Sequence, residues 1–230
     1  PRGFEWRDDE PASIVYAMPL DSGFIKKQVE FHDAVYSLSA PFTGEAKELF
    51  KTKSRFAGTT WGDANLALIT EVSRAKQSSR VSRYNSTTKS VELLYERNFT
   101  DAYNSPGMPV YRKNNFGRSV IQTTDNGSKI LMNNPVGSSA KGDLPFLSKF
   151  DLTSKKNEII WRSTEGSFEL VEDVIDADKL IIVTRKESQK EVPNYYIKHL
   201  ITKQADQLIT NFVNPYPGLA GISKEKIKYK

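Results

Sequence analysis

The sequence predicts an all-β chain made of about four four-stranded antiparallel sheets, and three observations carry that prediction. Short apolar runs separated by turn residues recur from end to end. Sustained helical periodicity is missing. Equivalent apolar positions return at a regular interval. Val15, Leu68, Leu131 and Ile182 are spaced by 53, 63 and 51 residues, and Leu49, Leu93, Ile160 and Leu208 by 44, 67 and 48. Four groups of about four strands at this spacing match β-propeller blades, which need ~40 to 50 residues each plus insertions.

Taken in order, the strands are expected at Ile14 to Tyr16, Val35 to Leu38, Leu66 to Ile69, Val91 to Tyr95, Ile130 to Met132, Glu158 to Trp161, Leu180 to Val183, Tyr195 to Ile197 and Leu208-Ile209. Gly44 to Lys51 and Asn65 to Gln77 have helical propensity, but neither is capped at both ends and both sit between strand signals, so they read as strand and loop. The widest gap in the repeat falls around the third group, where Asp101 to Gly117, rich in Asn, Pro and Gly, reads as an insertion. A single blade cannot bury its own surface, and an open arc of four leaves an apolar face uncovered at each end. The count thus describes a partial propeller, part of something larger.

Composition removes several classes of function. The 230 residues contain no cysteine and two histidines, which excludes disulfide frameworks, thiolate metal sites and a catalytic Cys. The apolar runs are too short to span a bilayer as helices, and the N-terminus shows no signal pattern. The net charge of +5 is unevenly placed. Glu71 to Lys89, with Arg74, Lys76, Arg80, Arg83 and Lys89, carries +4, and Lys224 to Lys230 carries +3, which leaves the rest at −2. A basic stretch of this kind could contact phosphates, but the lysines at 224, 226, 228 and 230 alternate as on a half-solvated strand, and a solvated face is the preferred reading over a nucleic-acid footprint.

The chemistry on view is mostly negative. There is no G-x-S-x-G elbow, no phosphate-binding glycine loop and no H-E-x-x-H. A Ser-His-Asp triad would have to use His32 or His199, each in or beside a predicted strand, where a half-exposed strand histidine is the simpler reading. Asp8-Asp9-Glu10 could offer carboxylates to a cation, but no spaced partner ligands follow, and solvated acids are preferred. Arg185 and Glu187, just past the strand at Leu180 to Val183, sit at a strand end of the kind that meets ligands or partner domains. Arg185 could grip a carboxylate through two hydrogen bonds; a surface ion pair within Arg185-Lys186-Glu187 is the alternative.

Several short segments, in order, resemble one family. They are Pro1-Arg2-Gly3-Phe4-Glu5-Trp6-Arg7-Asp8-Asp9, Leu20-Asp21-Ser22-Gly23, Ala40-Pro41-Phe42, Arg55 with Trp61-Gly62, Pro106 to Val110, Gly142 to Leu147, and Glu187-Ser188 with Pro193-Asn194-Tyr195-Tyr196. Together they resemble the propeller of the prolyl oligopeptidase family, more narrowly its glutamyl endopeptidase branch, over nearly the whole chain. Gly221 to Lys230 resembles the family's crossing into the first strand of an α/β-hydrolase domain. Where the family carries Pro-Pro before Asn-Tyr, this chain has Val192-Pro193.

The resemblance implies a propeller segment over 1–220 and a linker strand over 221–230. The nucleophile, acid and base would lie in a hydrolase domain of the same parent chain, so no catalytic residue carries over. It implies peptide substrates; the residues themselves point to no cofactor and no metal, and to neither nucleic acid nor membrane as partner. A non-catalytic propeller that admits peptides and excludes folded proteins is the expected role, and an anionic glutamyl side chain calls for a cationic partner. The candidate substrate contacts are Arg185, Glu187, Asn194 and Tyr195. The resemblance suggests export for a bacterial parent and a plastid for a plant one. The other reading is a stand-alone propeller that binds a protein or peptide.

Overall fold

Alternation along the strands decides which side of each sheet is buried. The protein is seen here in a computed structural model, which describes residues 1–62, 65–219, 221–222 and 227. The first sheet is a meander in the order β1 (Arg2–Trp6), β2 (Ser13–Pro19), β3 (Asp33–Ser39), β4 (Lys47–Thr52). In β2, Ser13, Val15 and Ala17 are buried while Ile14, Tyr16 and Met18 face the other way, the period of two of a sheet packed on one side. The second meander runs β5 (Arg55–Trp61), β6 (Ala67–Ser73), β7 (Ser78–Tyr84), β8 (Val91–Asn98).

The segment at 101–117 holds more structure than an insertion. It contains β9 (Met108–Pro109) and β10 (Tyr111–Lys113), followed by β11 (Ser119–Ile121) and β12 (Thr123–Thr124). β10 and β11 pair with each other. β9 and β12 both pair with β13 (Lys129–Asn134), at Met132-Asn133 and at Lys129-Ile130 respectively. The first strand of the third blade is therefore two short pieces, interrupted in sequence by a hairpin. That blade continues from β13, past the small hairpin β14 (Ser138–Ser139) and β15 (Gly142–Asp143), to β16 (Phe146–Asp151) and β17 (Asn157–Arg162). The fourth is the meander β18 (Ser167–Asp176), β19 (Ile181–Ser188), β20 (Asn194–His199), β21 (Gln207–Leu208).

Four consecutive antiparallel sheets of this order are β-propeller blades. The repeat read from the sequence falls on equivalent strands. Val15, Leu68, Leu131 and Ile182 occupy the second strand of each blade, all at most 4% exposed, and Leu49, Leu93, Ile160 and Leu208 occupy the fourth. The helix-prone segments form β4 and β6. Pairing of β6 with strands on both sides, with Ala67, Leu68 and Ile69 buried, overrides their propensity. Leu180 lies just outside β19, at a positive φ of 50°.

The chain forms two compact units, Pro1–Asn104 with Tyr111–Gln122, and Ser105–Val110 with Thr123–Lys230. In the first, Val15, Val35 and Phe50 of blade one pack with Phe56, Trp61, Ile69 and Tyr84 of blade two. The other face of blade one carries a ladder of stacked rings, Phe4 on Tyr16 at 5.2 Å and Tyr16 on Tyr36 at 5.8 Å, with Phe4 and Trp6 more than half exposed. In the second unit, Leu147, Val171 and Ile182 form one buried cluster and Leu131, Ala177 and Leu180 another.

Among the described residues no helix is long and apolar enough to cross a membrane. The expected linker strand over 221–230, with its alternating lysines, lies almost entirely outside those residues.

Candidate functional site

The predicted contact residues meet at one end of the fourth blade. Antiparallel pairing of β19 with β20 sets Arg185 opposite Tyr195 and Lys186 opposite Asn194, while β18 sets Phe168 opposite Glu187. Strand parity separates them. Ile182 and Thr184 point into the second unit's core, so Arg185, Glu187 and Tyr195 share the opposite face and Asn194 lies on the core side.

Arg185 sits between two acids. Its Nε donates to Glu172 Oε1 at 2.9 Å, and its Nη1 lies 3.7 Å from Glu187 Oε2. The group carries a local charge of −1, and the guanidinium is about one quarter exposed. To take a substrate carboxylate, Arg185 must exchange one of these partners. Asn194 is a clip. Its Oδ1 accepts from the Phe212 amide at 2.7 Å and the Thr210 hydroxyl at 2.9 Å, and its Nδ2 donates to the Phe212 carbonyl at 3.3 Å. The Tyr195 amide donates to Thr210 Oγ1 at 2.9 Å. Asn194 and the Tyr195 backbone thus pin the segment after β21 against the end of the blade, beside Arg185.

The densest charge cluster was not foreseen as a unit, although Asp21 and Arg55 stand among the segments that carry the family resemblance. Asp21 and Asp33 are both fully buried. Arg55 donates to Asp21 Oδ2 at 2.6 Å and to Asp33 Oδ1 at 3.0 Å. Asp33 also accepts from the Phe56 amide at 2.9 Å and from Arg2. Asp21 accepts from the Gly23 amide at 2.9 Å and faces His32 Nδ1 at 2.8 Å. Burial pushes the Asp21 carboxyl up, but hydrogen bonds from His32, Arg55 and Gly23 outweigh it and bring it to about 2. His32 thus has a buried acid partner at its Nδ1. The network joins β1, the β2–β3 connection, the start of β3 and β5.

The other sequence candidates are also engaged. Asp9 and Glu10 both bind Arg7, at 2.6 and 3.0 Å, and among the described residues no group of three or more His, Asp or Glu side chains is placed to hold a metal ion. Within the basic stretch, Arg83 pairs with Glu92 at 2.7 Å and Arg80 with Glu96 at 3.7 Å. The acids come from the neighbouring strand β8, outside the window whose charge was counted.

No protein-family model matches the chain. Over its full length it is 35% identical to a probable chloroplastic glutamyl endopeptidase of Oryza sativa subsp. japonica, aligned over 245 residues, and 35% identical to one of Arabidopsis thaliana over 246 residues. It covers 26% and 25% of these relatives, so the chain spans about a quarter of their length. Among solved structures, the uncharacterized protein lmo1340 of Listeria monocytogenes EGD-e superposes with a TM-score of 0.51 at 12% identity, over 90% of this chain and 53% of that one. That likeness is one of fold.

Proposed function

We propose, from the premise that this chain is a β-propeller segment of the glutamyl endopeptidase branch of the prolyl oligopeptidase family, that it is the non-catalytic part of a serine-type peptidase and gates peptide access to a hydrolase domain outside it. The observation that carries the proposal is the 35% identity along the whole chain to two proteins named as probable glutamyl endopeptidases, which are about four times longer. The chemistry of the segment fits a non-catalytic role. His32 has its Nδ1 on a buried carboxylate that Arg55 also binds, and among the described residues no serine or threonine hydroxyl bonds to its ring.

Gating in this reading is a matter of rigidity and exclusion. Each unit packs two blades on a shared apolar core, a rigid wall that does not part for a folded domain. An extended peptide could pass, and water and bulky substrates would be kept from the acyl-transfer site. Arg185, Glu187 and Tyr195 form the candidate peptide-facing rim, and Asn194 acts on it by pinning the segment after β21 beside them. Because Arg185 must release a carboxylate to take another, its contribution falls on binding. Arg185→Ala in the full-length parent is expected to raise KM for glutamyl peptides by roughly two- to fivefold with kcat unchanged. An unchanged KM would remove Arg185 from the peptide path.

The division of labour has a direct test. The isolated chain is expected to hydrolyse no glutamyl peptide reporter, while the parent extended past Lys230 does, with its fluorophosphonate-labelled serine in the extension. The parent should cleave a glutamyl peptide but spare the same sequence placed inside a folded domain. Hydrolysis by the isolated chain would overturn the first statement, and equal rates on the two substrates the second.

A further inference from the structure

Outside that site, the first unit contains a cleft of about 690 Å³ at the end of blades one and two where the β1–β2 and β7–β8 loops lie. Its size is that of a small-molecule pocket. Five separate stretches of chain build it, and Arg7, Lys47, Tyr84, Lys89 and Arg112 supply the chemistry. We propose that this cleft binds a small oxyanion-bearing molecule, a carboxylate or a phosphate, through the Tyr84 hydroxyl and the surrounding cations.

The charge balance of the walls points to an anion. Of the acids, Asp9 and Glu10 share Arg7, which is itself buried and lies 4.2 Å over the Trp61 ring, so that group keeps a charge of −1. Glu48 has Lys51 at 3.6 Å and the Tyr36 hydroxyl at 3.3 Å. Lys47 and Lys89, by contrast, are exposed and have no ion-pair partner among the described residues, and Arg112 adds a third positive charge. The lining as a whole carries +1, and the two donors without an ion-pair partner among the described residues, Lys47 and Lys89, are both cationic.

Tyr84 is the second, independent sign. It lines the cleft while only 1% exposed, its ring packs on Phe50 at 5.0 Å, and its hydroxyl has no hydrogen-bond partner among the described residues. That hydroxyl is not sealed from solvent, so it stands ready to donate to an acceptor in the cleft. Burial also pushes this phenol up from its ordinary value, which keeps it a donor at neutral pH.

The walls are set before any ligand arrives. Asn85 Oδ1 accepts from the Thr87 and Thr88 amides, both at 3.0 Å, and Asn114 Oδ1 from those of Phe116 and Arg118, both at 3.0 Å. Arg118 donates to the carbonyls of Arg7 at 2.6 Å and Pro11 at 3.0 Å, which ties the hairpin to the β1–β2 loop. Little ordering remains to oppose binding.

The test is calorimetric titration of the full chain with inorganic phosphate in one arm and citrate in the other, against sodium chloride at equal ionic strength. Saturable one-site binding is expected in at least one arm, and the arm that saturates tells phosphate from carboxylate recognition. The double variant Lys47→Ala, Lys89→Ala should weaken it about tenfold or more, and Tyr84→Phe, which keeps the ring on Phe50, several-fold with the melting temperature held. No saturable binding in either arm, heat reproduced by chloride, or affinity unchanged in both variants would overturn the proposal.

Discussion

Asp33→Ala is expected to destabilise the first unit by about 3–5 kcal/mol, the usual cost of removing one member of a buried ionic group. Asp33 is fully buried and receives Arg55, Arg2 and the Phe56 amide. Its loss leaves the Phe56 donor without an acceptor and Arg55 with Asp21 and a long contact to the His32 carbonyl. Lys51→Ala is the contrast. Its pair with Glu48 is 3.6 Å long and both side chains are about 40% exposed, so the change should cost less than about 1 kcal/mol. The measurement is urea unfolding in a Trp161→Phe background, where the tryptophans remaining are Trp6 and Trp61, both in the first unit. The midpoint should fall with the slope unchanged. Equal midpoints for the two variants would mean that the network adds nothing beyond a surface pair.

The same network sets an acid limit. The folded Asp21 carboxyl sits at about 2, below its ordinary value of 3.8. A depressed folded value means that the stabilisation is complete above about pH 4 and is lost as pH falls towards 2. The depression corresponds to on the order of 2 kcal/mol. An acid titration of the first unit followed by the same fluorescence should show loss in that window, and a shallower fall in the Arg55→Ala variant, which lacks one of the groups holding Asp21 down.

What the sequence made legible follows from what each strand does. The second strands, β2, β6, β13 and β19, have partners on both edges and apolar neighbours on a face, so Val15, Leu68, Leu131 and Ile182 stand out as short apolar runs. The first strands do not. β1 reads Arg-Gly-Phe-Glu-Trp with a register shift between Arg2 and Glu5, and β5 shifts between Phe56 and Gly58. Each shift breaks the period-two pattern on which recognition depends. β9 and β12, at two residues each, are too short to carry any pattern. Arg185, Glu187 and Tyr195 could be brought together from sequence because strand ends and facing registers are local. The Asp21–Asp33–Arg55 cluster could not, since 12 and 22 residues separate its members and only the pairing of blades one and two joins them. The signal available was an acid at the head of an apolar strand, Asp33 before Ala34-Val35, which calls for a buried partner.

Gly137→Ala should damage the second unit more than any other glycine replacement, by about 2–5 kcal/mol from left-handed strain and steric overlap together. Gly137 has a φ of +60°, and a Cβ there would stand 1.9 Å from the Leu144 carbonyl oxygen and 2.8 Å from the Pro145 nitrogen. Both are backbone atoms, so no side chain can swing aside. Backbone relief is blocked as well. The Gly137 amide donates to Asn134 Oδ1 at 2.8 Å and its carbonyl accepts from the Leu144 amide at 3.0 Å. Asn134 in turn holds the Ser105 carbonyl at 2.9 Å. Gly107, with a Cβ position 2.3 Å from the Asn133 carbonyl oxygen, should behave similarly. Gly127 separates strain from overlap. Its φ is +81° but nothing lies within 4 Å of a Cβ, so Gly127→Ala meets only the left-handed penalty of about 1–2 kcal/mol. Thermal unfolding should show a drop of roughly 10 °C for Gly137→Ala and a few degrees for Gly127→Ala. Equal drops would show that conformational strain alone, and not the close backbone approach at the β14–β15 excursion, requires glycine there.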